Sequence, residues 1–128
     1  MKKKFMFLLA VLLLAGCAGT PETQSEPVYR NISPEEAKQV MDTQEGYVLL
    51  DVRTQEEYDQ GHIPGAILIP DYVIREQAEA LLTDKDQLIL VYCRSGRRSK
   101  LAAEALVELG YTNILEFGGI IDWPYDIE

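Results

Sequence analysis

A chain of 128 residues, 47% hydrophobic and 26% charged, is long enough to bury one core without disulfides or metals and too short for two domains. Its net charge of −9 repels nucleic acid and anionic lipid headgroups, so no nucleic-acid partner is expected. One histidine and two cysteines leave no metal-binding cluster, and neither a metal nor an organic cofactor is expected.

Lys2, Lys3 and Lys4 precede the apolar run Phe5 to Leu14, which together read as the charged and apolar regions of a signal peptide. At about ten residues this run is half of what a membrane-spanning helix needs. It ends in Leu14-Ala15-Gly16-Cys17, which resembles the lipobox of bacterial lipoproteins. That resemblance implies cleavage before Cys17 and attachment of acyl chains such as palmitate to its sulfur and amino group, enough for stable anchoring. Two other readings stand beside it: an ordinary secretory signal, or a disulfide between Cys17 and Cys93. The polar run Thr20 to Pro27 has no apolar face to bury and reads as a linker. The expected organisation is therefore a signal peptide over 1–16, a lipid-anchored linker over 17–27 and a folded domain over 28–128. The domain would hang from a bacterial membrane on the extracytoplasmic side of the cell envelope. Loss of the three signal lysines, which have no acidic residue beside them, takes the net charge from −9 to −12. With Cys17 acylated, Cys93 is the one free thiol of an exported protein, and an odd exported thiol points to reactivity.

Val28 to Ile32 reads as a short first strand. Ser33-Pro34-Glu35-Glu36 then opens a helix, with Ser33 as cap, Pro34 at the first helical position and Glu36 closing a capping box. Ala37, Val40 and Met41 share one face of it, and it stops by Gly46. Tyr47 to Leu50 is a buried strand with Asp51-Val52-Arg53 at its carboxyl end, the end at which open parallel sheets form their sites. Thr54 to Glu57 repeats the capping signature and predicts a short helix to about Gln60; Pro64-Gly65 then turns the chain into a third strand, Ala66 to Ile69. Arg53 and Glu57 are spaced to pair with each other across this junction. Asp51 is placed either to serve its own strand end or to orient an arginine of a later loop. Tyr72 to Leu82 carries a helical pattern, followed by a turn over Thr83 to Asp86.

Gln87 to Tyr92 is a continuous apolar run rich in β-branched and aromatic residues, as expected of a strand buried on both faces of a parallel sheet. Leu101, Ala102, Ala105, Leu106 and Leu109 recur at helical spacing, so a helix is predicted over Ser99 to Leu109, with Gly110 ending it. Between strand and helix lies Cys93-Arg94-Ser95-Gly96-Arg97-Arg98-Ser99. Unpaired N–H groups of such a loop and the positive end of the helix dipole favour an anion, and with the neighbouring arginines they favour a thiolate over a thiol. Only the thiolate is a good nucleophile. Most free cysteines are small buried hydrophobes, but three arginines and a glycine in the next five positions have no packing purpose. Ile114 to Phe117 reads as the last strand, Gly118-Gly119 as a tight turn, and Trp123 as a core or lid residue. Strands alternating with helices predict an α/β domain: a central parallel sheet with helices on both faces.

The string Cys93 to Ser99 after its strand, together with Leu50-Asp51-Val52-Arg53, Glu57-Tyr58, Gly61-His62-Ile63-Pro64-Gly65-Ala66, Gly118-Gly119 and Trp123, resembles a single-domain rhodanese over about residues 28 to 124. The resemblance implies a sulfurtransferase. The Cys93 thiolate would take sulfane sulfur from a small anion such as thiosulfate, release sulfite, and pass the sulfur from a Cys93 persulfide to a thiol or cyanide acceptor. Arg94, Ser95, Gly96, Arg97, Arg98 and Ser99 would form the substrate-binding loop. Arg94 and Arg97 are expected to meet the donor and Arg98 to brace the loop through an acidic partner. Asp51, Arg53 and Glu57 are supporting residues. His62 lies in a fold-signature turn of that pattern, so a structural role is expected rather than that of a general base. A monomer is expected. Two rivals remain: a non-catalytic envelope protein that binds an oxyanion or accepts a persulfide, and a phosphatase or arsenate reductase. The related phosphatases carry one more residue between cysteine and arginine than separates Cys93 from Arg98.

Overall fold

Short strands rich in Ile, Leu and Val cannot bury both faces alone, and the central ones of a five-stranded sheet do so by lining up in parallel between layers of helix. The computed structural model describes residues 28–128; the expected signal peptide over 1–16, Cys17 and the expected linker lie outside the described residues. In chain order the elements are β1 (Arg30–Asn31), α1 (Pro34–Thr43), β2 (Val48–Asp51), α2 (Gln55–Gln60), β3 (Ile67–Leu68), a 3₁₀ turn (Asp71–Val73), α3 (Ile74–Leu81), β4 (Ile89–Cys93), α4 (Arg97–Glu108), β5 (Ile114–Gly119) and a second 3₁₀ turn (Ile120–Asp122). The sheet order is β1-β5-β4-β2-β3, and every pairing is parallel.

All five residues of β4 are buried. Its alternate side chains feed two separate cores: Ile89, Val91 and Cys93 pack with Ile74 and Ala78 of α3 and Ala102, Ala103 and Leu106 of α4. Leu90 and Tyr92 point the other way, to Ala37 of α1, Phe117 and Trp123. Full burial of each Ile, Leu or Val stabilises by about 1.5–3 kcal/mol, so the central strand is where the fold is most firmly set. The carboxyl ends of β2, β4 and β5 consequently lie side by side.

Both predicted capping boxes form. Ser33 Oγ accepts from the Glu36 amide at 3.0 Å while Glu36 Oε1 accepts from the Ser33 amide at 3.3 Å, and Thr54 and Glu57 reproduce the pattern at the start of α2. Several strand ends differ from expectation by one or two residues, and three departures have a visible physical reason. The helical pattern from Tyr72 is split, because the Asp71 amide donates to Val52 O at 2.9 Å, pinning a 3₁₀ turn to the end of β2 before α3 begins at Ile74. Helix α4 starts two residues early, at Arg97, because Gly96 adopts φ +105° and turns the chain directly into the helix. Gly118-Gly119 is not a free turn: it continues β5, and Gly119 pairs with Cys93 across an irregularity in the β4–β5 ladder.

Candidate active site

The loop from Cys93 to the first turn of α4 is short because Gly96 supplies the left-handed conformation that a residue with a side chain adopts only with strain. It curls round the sulfur. The Gly96 amide donates to Cys93 Sγ at 3.0 Å, and the thiol lies 3.4 Å from Ser99 Oγ. Cys93 is only 1% exposed and belongs to the core on the α4 face; burial alone would fit a packing cysteine, but the amide aimed at the sulfur would not be needed for one. Arg94, Ser95 and Arg97 form the exposed rim, while Gly96 and Ser99 are buried beneath it.

Arg98, in the first turn of α4, reaches Glu57 through two hydrogen bonds, Nη1 to Oε1 at 2.6 Å and Nη2 to Oε2 at 2.9 Å. This bidentate pair is the acidic brace expected for Arg98. It holds the Glu57 carboxyl well below the ordinary carboxylate range, at about 2, and raises Arg98 in turn. No ion pair involves Arg94 or Arg97 among the described residues.

The remaining supporting residues are arranged differently from expectation. Glu57 does not pair with Arg53. Instead Arg53 folds back on Asp51, its Nε 3.0 Å from each carboxylate oxygen and its Nη2 2.6 Å from Oδ2. The physical reason is that β2 ends at Asp51 and α2 begins only at Gln55, so Arg53 and Glu57 never share a helical turn. Nor does Asp51 orient an arginine of the cysteine loop. Its second partner is the buried Tyr92 hydroxyl at 2.7 Å, which in turn accepts from the Ile63 amide at 3.0 Å. Burial, then the neighbouring Asp51 charge, push the Tyr92 phenol up. Asp51, Arg53 and Tyr92 thus lock β2, β4 and the chain after α2 together behind the loop. His62 stacks flat on Tyr58, with ring centroids 3.8 Å apart, and its backbone exchanges hydrogen bonds with Glu128. Those contacts fit a structural role. Trp123 is 9% exposed and packs on Phe117 in the core.

Two features of the site escaped the sequence reading. A Cβ on Gly119 would fall 1.9 Å from Arg94 O, so the end of β5 presses against the cysteine loop and admits no side chain there. The other is Glu116, a fully buried carboxylate within β5. Its Oε1 accepts from Ser99 Oγ at 2.7 Å and from the Gly118 amide at 2.8 Å, and Oε2 accepts from Asn31 Nδ2. The available signal was one acid inside the apolar run Ile114-Leu115-Glu116-Phe117.

A cysteine at the carboxyl end of the central parallel strand, enclosed by a loop that opens directly into a helix, defines a thiol-dependent α/β enzyme. A family model described as the rhodanese-like domain matches residues 33–124, and the chain belongs to that family. It is 42% identical over 73 residues to the thiosulfate sulfurtransferase PspE of Escherichia coli, covering 57% of this chain and 70% of that protein. With a sulfurtransferase of Allochromatium vinosum it shares 38% identity over 93 residues, 72% of this chain and 85% of the other. Among solved structures, a rhodanese with anions from E. coli superposes with a TM-score of 0.60 at 38% identity, over 64% of this chain and 96% of that one. These likenesses support a sulfurtransferase enzyme.

Proposed function

We propose that the protein is a lipid-anchored sulfurtransferase of the bacterial envelope that takes sulfane sulfur from a small anion of the thiosulfate kind and gives it to a thiol or to cyanide. The observation that carries the chemistry is the Gly96 amide 3.0 Å from Cys93 Sγ, within a loop whose Arg98 is already neutralised by Glu57. Such a donor stabilises negative charge on sulfur, whether thiolate or persulfide, and one preorganised donor is commonly worth about 3–4 kcal/mol in a transition state. In the first half-reaction the Cys93 sulfur attacks the outer sulfur of the donor. The new S–S bond forms as the old one breaks, and its electron pair leaves on sulfite. In the second, the acceptor thiolate or cyanide takes that outer sulfur and Cys93 is returned as thiolate. Arg94 and Arg97 at the rim meet the donor anion. Ser99, Glu57, Glu116 and Gly119, which shape the loop, all lie within the one described domain, and the protein is read as a monomer.

The anchor rests on Lys2 to Lys4, the apolar run, Leu14-Ala15-Gly16-Cys17 and the polar linker. Intact-mass measurement of the domain tests the chemistry: thiosulfate should add one sulfur atom at Cys93, and cyanide should then remove it. No added sulfur would reject sulfur transfer; a label that cyanide cannot discharge would mark a persulfide acceptor without turnover.

A further inference from the structure

Thiosulfate and cyanide are small and charged, and neither needs an apolar surface beside the sulfur. Yet a cleft of about 290 Å³ adjoins the cysteine loop, lined by Arg94 of that loop, by the end of α2 and by Ile120, Ile121 and Ile127. Ile121 and Ile127 are 60% and 55% exposed. Single exposed apolar side chains are ordinary, but these two converge on one cleft from segments that the chain fastens there. The Ile121 amide donates to Arg94 O at 3.2 Å, tying the 3₁₀ turn after β5 to the cysteine loop. His62 and Glu128 exchange two backbone hydrogen bonds, at 2.9 and 2.8 Å, which hold Ile127 beside Gly61, where an added Cβ would lie 3.5 Å from Ile127 Cδ1. Of the charged groups in the cleft, Arg53 is taken by Asp51 and Glu57 by Arg98, whereas Arg94 is in no ion pair among the described residues.

We infer that this cleft seats the sulfur acceptor, and that the acceptor is a small thiol carried on an apolar chain, the chain lying on Ile120, Ile121 and Ile127 and the thiolate end beside Arg94. The volume is at the small end of ligand sites, which begin at about 300 Å³, so it suits a chain of a few carbons rather than a protein segment. The β-branched isoleucines are stiff and lose little freedom on contact. Arg94, which meets the donor in the first half-reaction, is released when sulfite leaves and then faces the incoming thiolate. That thiolate attacks the outer sulfur of the Cys93 persulfide; a new S–S bond forms as the bond to Cys93 breaks, its electron pair stays on Cys93 as thiolate, and the acceptor departs as a persulfide. The inference rests on the sulfur-transfer reading, because without a persulfide on Cys93 there is nothing to accept.

The test is single-turnover discharge of protein loaded with thiosulfate and freed of excess donor, followed by intact mass. The acceptors are 2-mercaptoethanol, 4-mercaptobutanol and 6-mercaptohexanol at equal thiolate concentration, with cyanide, which has no chain, as the reference. The rate relative to cyanide should rise about two- to fourfold per methylene, more than about tenfold over the series. Ile121→Ser and Ile127→Ser should each cut that rise about threefold or more. Both side chains are more than half exposed, so the variants should fold; melting curves check this, and either folded variant decides the matter. A rate independent of chain length overturns the inference, as does a rise that both serine variants keep. If thiosulfate does not load Cys93, the sulfur-transfer reading falls and the cleft is read by itself. Octanoate, whose carboxylate stands in for the thiolate, should then shift the methyl NMR signals of Ile121 and Ile127 in the unloaded protein where acetate does not, and no shift overturns the apolar-chain site.

Discussion

Replacing Glu57 with glutamine removes the charge that braces Arg98 and little else, because glutamine at the third helical position still closes a capping box with Thr54. A carboxyl lowered from 4.5 to about 2 corresponds to about 3 kcal/mol of preference for its charged form in the folded protein. The Glu57 and Arg98 side chains retain 24% and 29% of their exposure, so water screens the pair, and about 1–2 kcal/mol should appear in stability. For a domain of this size that lowers the melting temperature by roughly 5 °C or more. The dependence on pH is the sharper readout. Folding depresses the Glu57 carboxyl, so the contribution is complete above its ordinary value of 4.5 and is lost as pH falls toward about 2. Urea unfolding of parent and Glu57→Gln across that window should show a gap that is constant near neutrality and closes in acid. A gap that persists unchanged down to the acid end would show that the ion pair is not its source.

Cys93→Ser should abolish sulfur transfer and lower stability by about 1 kcal/mol, since the thiol packs in the core but a hydroxyl can keep the Gly96 and Ser99 contacts; residual turnover of thiosulfate with cyanide would reject Cys93 as the sulfur carrier. Gly119→Ala sets a Cβ against the Arg94 backbone and should cost about 3 kcal/mol along with activity, and an unchanged melting curve would show that the loop yields freely. Cys17→Ser should release the protein from the membrane fraction or stall its processing, whereas a chain beginning near Val28 should remain folded and active. A membrane-bound Cys17→Ser protein with a normally processed N-terminus would reject the lipid anchor.

What could be read from the sequence was local chemistry. Ser33-Pro34-Glu35-Glu36 and Thr54 to Glu57 announce helix starts because their hydrogen bonds close within four residues, and β4 announces itself by apolar residues on both faces. The cysteine loop was legible for the same reason, since its glycine and arginines are consecutive. The features that were missed are all made by distant segments. Gly118-Gly119 looks like a turn until β4 supplies the strand that Gly119 pairs with. Spacing suggested that Arg53 should meet Glu57, yet Glu57 is taken by Arg98, 41 positions away in the chain. Glu116 drew no reading from the sequence, because only the alternation of β5 and the placement of α4 turn it inward onto Ser99.

The two acids beside the loop have opposite consequences because they differ in partners. Glu57 meets a guanidinium and removes one of the three loop arginines from the field seen by an approaching anion. Glu116 meets only neutral donors and touches the loop from below, through Ser99. Positive charge at the rim is thereby reduced to Arg94 and Arg97, set on a chain whose net charge is −9. A field of that kind acts within about a Debye length of the loop, roughly 8–10 Å at physiological salt, and is screened beyond it. Long polyanions and acidic protein surfaces meet the repulsive body as well as the loop, whereas a small dianion fits wholly within the attractive zone. If the proposed sulfur transfer holds, this arrangement would favour a donor that is small as well as anionic.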